Sequence, residues 1–145
     1  MARVNWIHVL LGGLIAGLVW TLLSVLLLAF VGPDLLSSLP GGGLKAPAGV
    51  HVFLLLSNFA AATWAIWLFA VIRPRYSVGF KAVLVAAFAW WFLVSLQSAK
   101  WVTLLVMASS SVVAFLLATL PAMTVAVWIG GWIYDRVGRP TLEGR

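Results

Sequence analysis

The chain has 145 residues, 64% of them apolar and 8% charged, with nine Lys/Arg against three Asp/Glu and no cysteine. A soluble domain averages about 45–50% apolar and about 25% charged, and one of roughly 150 residues buries only about 68–70% of its unfolded surface. A water-soluble globule is therefore excluded, as is a disordered chain, which needs low hydrophobicity. The missing thiols exclude disulfide scaffolds, thiol redox sites and Cys-ligated zinc or iron–sulfur clusters.

A helix needs about 20 apolar residues to cross the hydrocarbon core of a bilayer. Four segments meet that length, and they predict an all-α fold: a single membrane domain over 1–145, built as a four-transmembrane-helix bundle. The first span covers 5–31 and stops at Gly32-Pro33-Asp34. Its apolar run is far longer than the 7–15 residues of a secretory h-region, so it reads as a permanent span. The loop that follows holds Gly41-Gly42-Gly43 and reads as turns. The second span covers 50–72 and stops at Arg73-Pro74-Arg75. The third covers 78–98, ahead of Lys100; Trp101–Met107 reads as an interfacial segment, with a third helix that extends further as the alternative. The fourth covers 111–134 and ends before Asp135-Arg136, and Pro121 inside it predicts a kink, with Thr119 and Thr124 near the freed carbonyl. Barrel strands would alternate in and out over about ten residues, and these runs are continuously apolar. No inverted repeat of the kind found in transporters is evident.

Four spans place both termini on one side. Lys and Arg in short loops favour the cytoplasmic side. With the termini inside, that side holds Arg3, Arg73, Arg75, Lys81, Arg136, Arg139 and Arg145, against Lys45 and Lys100 outside. Both termini are thus expected in the cytoplasm. Arg73, Arg75 and Lys81 form a tight basic turn that would face anionic lipid head groups. Charges this scattered make no stripe that could track nucleic-acid phosphates, so the expected partners are the lipid bilayer and either a second copy or a larger membrane complex.

Each span has one face of small or polar residues, as close packing between helices in lipid requires. Gly13 and Gly17 form a small-xxx-small pair and share a face with Trp20, Thr21 and Ser24. The second span groups Asn58, Ala61, Ala62 and Ala65; the third Ala82, Ala86 and Ala89; the fourth Ala118, Ala122, Ala126 and Gly130. Trp6, Trp101, Trp128 and Trp132 lie toward span ends, where indole favours the interface. Trp64, Trp67, Trp90 and Trp91 lie deeper, and their N–H groups need acceptors.

An ionisable residue in the bilayer core would be the natural functional candidate, and no predicted span carries an Asp, Glu, Lys or Arg away from its ends. His8 and His51 fall near opposite faces of the membrane and cannot share a haem or metal. No catalytic triad, metal spacing or phosphate loop appears. No catalytic residue, metal or cofactor is expected, and Asn58 reads as a hydrogen-bonding residue between helices. Small four-helix multidrug transporters carry a glutamate in their first helix, which this chain lacks. The favoured expectation is a non-enzymatic structural or accessory membrane protein. The alternative is a carrier or channel for a small neutral or lipidic molecule, with Thr21, Ser24 and Asn58 along a polar path.

Three stretches carry a resemblance: Asn5-Trp6 through Leu10-Leu11-Gly12-Gly13-Leu14-Ile15-Ala16-Gly17, then Ile72-Arg73-Pro74-Arg75-Tyr76 with Gly79 and Lys81, then Gly130-Gly131-Trp132-Ile133-Tyr134. In these the chain resembles a family of small, uncharacterised bacterial four-helix integral membrane proteins. The resemblance implies the four-span layout and a bacterial inner-membrane location, and brings no activity with it. It also implies a glutamate deep in the first helix of relatives; Ser24 stands at that place here, which removes any function resting on that carboxylate.

Overall fold

The computed structural model describes residues 5–31, 48–76, 79–103 and 109–137. The glycine-rich loop with Lys45, the stretch 104–108, and Arg3, Arg139 and Arg145 lie outside the described residues. The fold is an all-α bundle of four helices: α1 (Trp6–Val31), α2 (Ala48–Ile72), α3 (Gly79–Thr103) and α4 (Ser109–Val137), with no strand among the described residues. All four are long and apolar enough to cross a membrane. Their 25 to 29 residues make rods of about 38–44 Å, more than the roughly 30 Å of hydrocarbon in a bilayer.

Local chemistry sets the helix ends. Asn5 caps α1: its Oδ1 accepts the Ile7 N–H at 3.1 Å, and its carbonyl accepts the Val9 N–H at 3.1 Å, which satisfies donors that a helix start leaves open. α2 passes into a single 3-10 turn, Arg73–Arg75, closed by the Tyr76 N–H on the Arg73 carbonyl at 3.3 Å. Pro74 has no N–H to donate, and Tyr76 is already extended. α3 runs past residue 98 through Lys100 and Trp101 to Thr103, so the start of the expected interfacial segment is helix. A single lysine does not end a helix, because its long stem can carry the ammonium to the interface.

Chain neighbours pack antiparallel, and α1 closes the bundle by packing on α4 as well as α2. Along α1, Gly13 lies against Thr63 and Gly17 against Phe59 of α2, while Gly12 meets Gly130 of α4. In the last pair glycine faces glycine, so backbone meets backbone from both sides. A Cβ added to Gly12 would stand 2.7 Å from the Gly130 carbonyl oxygen, and one on Gly130 would stand 2.6 Å from the Gly12 oxygen. The core is otherwise alanine-rich, with Ala16, Ala62, Ala65, Ala82, Ala86 and Ala126 fully buried. Large apolar residues such as Leu14, Leu22, Phe53, Phe88 and Leu117 face outward, the arrangement suited to lipid.

The burial pattern contains an internal repeat. Gly12, Gly13, Ala16, Gly17 and Trp20 are buried on α1, and Ala82, Val83, Ala86, Ala87 and Trp90 are buried at the matching places on α3. On α2, Ala61-Ala62-Thr63 and Ala65-Ile66-Trp67 match Ala122-Met123-Thr124 and Ala126-Val127-Trp128 on α4. The repeat is parallel: α1–α2 and α3–α4 are two hairpins with like burial patterns running in the same sense. Trp20 and Trp90, at equivalent places, meet with ring centroids 5.5 Å apart.

Pro121 lies within α4, which continues through it, on the exposed side. The nearby hydroxyls do not serve the carbonyl that proline frees. Thr119 donates to the Leu116 oxygen at 2.9 Å and Thr124 to the Leu120 oxygen at 2.9 Å.

The glycine contact yields a direct expectation. Gly12→Ala and Gly130→Ala each force backbone apart from backbone, a form of overpacking that costs about 1–3 kcal/mol. Denaturation in mixed detergent micelles measures the loss; Gly49→Ala, with open space around it, should show none.

Candidate functional site

Three features outside the packed core offer chemistry: the basic end of the bundle, the polar residues on the helices, and the grooves between the paired helices. The basic end is organised by Arg73. Its Nε donates to Asp135 Oδ2 at 3.3 Å and its Nη1 to the Tyr76 carbonyl at 3.4 Å, and its guanidinium lies over Gly79, where an added Cβ would come within 3.2–3.3 Å of it. One side chain thus joins the end of α2, the start of α3 and the end of α4. Arg75 and Lys81 remain exposed. Of the three basic residues that sequence placed at the head groups, Arg73 is occupied inside the protein and the other two face outward. Beside them, Tyr134 takes edge-on ring contacts from His8 and Phe69, each with centroids 6.2 Å apart.

Two of the polar residues expected along a path bond within their own helix. Thr21 donates to the Gly17 carbonyl at 2.8 Å and Ser24 to the Thr21 carbonyl at 2.9 Å, so both hydroxyls are turned back on their own helix, a common solution for Ser and Thr in apolar helices. Asn58 is half-buried, and no hydrogen bond joins it to another helix among the described residues. The cross-helix bond is made instead by Trp91, whose Nε1 donates to the Leu116 carbonyl at 2.8 Å. His8 shares a 3.4 Å contact with the Asn5 amide. No group of His, Asp and Glu that could hold a metal occurs among the described residues.

The small residues singled out from sequence have these places. Gly13, Gly17, Ala65, Ala82, Ala86, Ala122, Ala126 and Gly130 are buried, and Ala61 is partly covered against the core. Gly12, which sequence reasoning did not select, makes a closer contact than Gly17 does with any backbone. The Gly12-Gly13 doublet was the available signal, because two adjacent glycines let one helix approach two neighbours.

Each hairpin carries an outward-facing groove between its two helices. In α1–α2 a groove of about 700 Å³ is lined by Leu10, Phe59, Ala60, Thr63, Trp64 and Trp67. In α3–α4 one of about 460 Å³ is lined by Phe80, Leu120, Pro121, Thr124, Val125 and Trp128. Trp6 also lines the α1–α2 groove and has no counterpart in the other; the remaining residues correspond one for one under the repeat, so a groove at this place is a property of the hairpin. Both have a threonine and a tryptophan among otherwise apolar walls.

The Arg73–Asp135 pair is about one-third exposed on each side, at 32% and 33%, so it should contribute modestly. Arg73→Gln and Asp135→Asn are each expected to lower unfolding stability by less than about 1 kcal/mol, and the double variant should lose little more than either one. A double-mutant cycle measures this; strictly additive losses would show that the pair does not act as a unit.

Comparison with protein-family models, with curated proteins and with solved structures gives no match.

Proposed function

We propose that the chain is a non-enzymatic structural or accessory subunit of the bacterial cytoplasmic (inner) membrane, packing with itself or within a larger membrane complex, with both termini on the cytoplasmic side. The observation that carries this reading is the division of labour between interior and perimeter. The interior is closed by small residues at backbone distance, with Gly12 on Gly130 and Gly13 on Thr63. The hydroxyls of Thr21 and Ser24, which a carrier would need to present to cargo, are held by their own helix. What remains available to a partner is the apolar perimeter and the basic end with Arg75 and Lys81. The resemblance to small bacterial membrane proteins supports the location, and the Lys/Arg distribution supports the orientation.

Gentle extraction followed by native mass spectrometry tests the role. The expected result is a complex, of copies of the chain or with another membrane protein. A lone monomer holding a ligand in a water-filled interior would contradict it. For the orientation, a C-terminal alkaline phosphatase fusion should be inactive, and an active one would reverse the assignment.

A further inference from the structure

We propose that the α3–α4 groove binds one anionic phospholipid, with an acyl chain along the groove and the phosphate at Arg136 and Lys81. The proposal rests on the membrane reading above and adds a specific ligand to it.

The shape of the groove is that of a chain-like ligand. Its central part, with Pro121 and Val125 on its wall, shares Leu120 and Thr124 with a recess of about 400 Å³ against Leu84, Val85 and Phe88. At its other end it shares Trp128 with a recess of about 340 Å³ against Ile129 and Trp132. From Trp132 to Leu120 the helix rises about 18 Å, close to one leaflet of a hydrocarbon core about 30 Å thick. The walls suit hydrocarbon. The Thr124 hydroxyl, a polar group within them, already donates to the Leu120 carbonyl at 2.9 Å, so a polar ligand would lose its water there without gaining that partner.

The charge at one end of the groove selects the head group. The Arg136 guanidinium lies 4.0 Å from the centroid of the Trp132 ring, a cation–π contact that holds the cation beside the recess while leaving the residue exposed. Lys81 follows Phe80 in the first turn of α3 and is exposed at the same end, since α3 and α4 run antiparallel. The nearby carboxylate, Asp135, is engaged by Arg73. Two exposed cations thus lie at this end of the α3–α4 hairpin, one of them stacked on a residue of the recess, and their charge is complementary to a phosphate above an acyl chain.

The α1–α2 groove is a built-in comparison. It has the matching threonine and tryptophan, but Val71 stands where α4 has Trp132. Arg75, the counterpart of Arg136, therefore has no indole at that place to stack upon. Head-group selectivity belongs to the α3–α4 side.

The test reconstitutes the full chain in vesicles of equimolar phosphatidylcholine and phosphatidylglycerol, extracts it gently, and reads retained lipid by native mass spectrometry. One phosphatidylglycerol per chain, held in preference to phosphatidylcholine, is expected. Arg136→Gln should lower that preference about fivefold, and Arg75→Gln should leave it unchanged. Val125→Trp, which sets a bulky ring on the wall of this smaller groove, should displace the lipid whatever its head group. Equal retention of both lipids, or equal effects of the two arginine variants, would overturn the site. So would a dimer that Val125→Trp dissociates, since the groove would then be seating a second copy. A chain that fails to enter the vesicles would overturn the membrane reading itself, a result distinct from insertion without retained lipid.

Discussion

Where α1 crosses α4, no side chain separates the two backbones. Gly12 and Gly130 present carbonyl oxygens to each other's Cα at distances that even a methyl group would violate. Lipid tails are as apolar as leucine, so helices in a bilayer gain nothing from hiding apolar surface from one another; they attract through close approach and the dispersion and weak Cα–H···O contacts that it permits. The rest of the bundle follows from this. Helices drawn together by glycine and alanine leave room inside for only a few large side chains, among them Trp20, Ile66, Phe69 and Trp90. Most other bulky residues are displaced to the perimeter, where they meet lipid and wall the grooves.

The repeat between hairpins makes the departures from it informative. Trp91 reaches across to the Leu116 carbonyl, whereas its counterpart Thr21 bonds back to its own helix. Pro121 lines one groove where Ala60 lines the other, and Trp132 underlies Arg136 where Val71 leaves Arg75 unsupported. In each pair the α3–α4 side carries the more specific chemistry.

Much of the fold was legible in the sequence because a bilayer imposes so few options. Long continuous apolar runs must be helices, and Gly32-Pro33 and Arg73-Pro74-Arg75 mark natural ends, whereas α4 runs on through Asp135-Arg136 to Val137. The C-terminal part of α3 was not legible, because Lys100 reads as a boundary while a lysine can extend from a helix to the interface. The parallel repeat was obscured because it keeps the burial pattern and not residue identity: Gly12-Gly13 against Ala82-Val83, or Trp64 against Val125, do not look alike as letters. Gly13 and Gly17 were legible as packing residues, whereas the contact of Gly12 with Gly130 depended on the crossing of α1 and α4, which no local pattern encodes. The Arg73–Asp135 pair depended on the same tertiary arrangement, since it joins residues from the ends of non-adjacent helices. The grooves are the least legible feature, because each is formed by two helices at once.

The central claim is that the interior of the bundle is closed by small residues and admits no water. The chain contains no cysteine, so single introduced thiols report their own surroundings. Ala16→Cys, Ala86→Cys and Ala126→Cys replace fully buried residues with a side chain only slightly larger, and Arg75→Cys provides an exposed comparison. Reaction with a small, water-soluble thiol reagent in native membranes should modify the thiol at position 75 and leave those at 16, 86 and 126 untouched. Modification at the three interior positions at a rate close to that at 75 would reveal an aqueous path through the bundle and contradict the account.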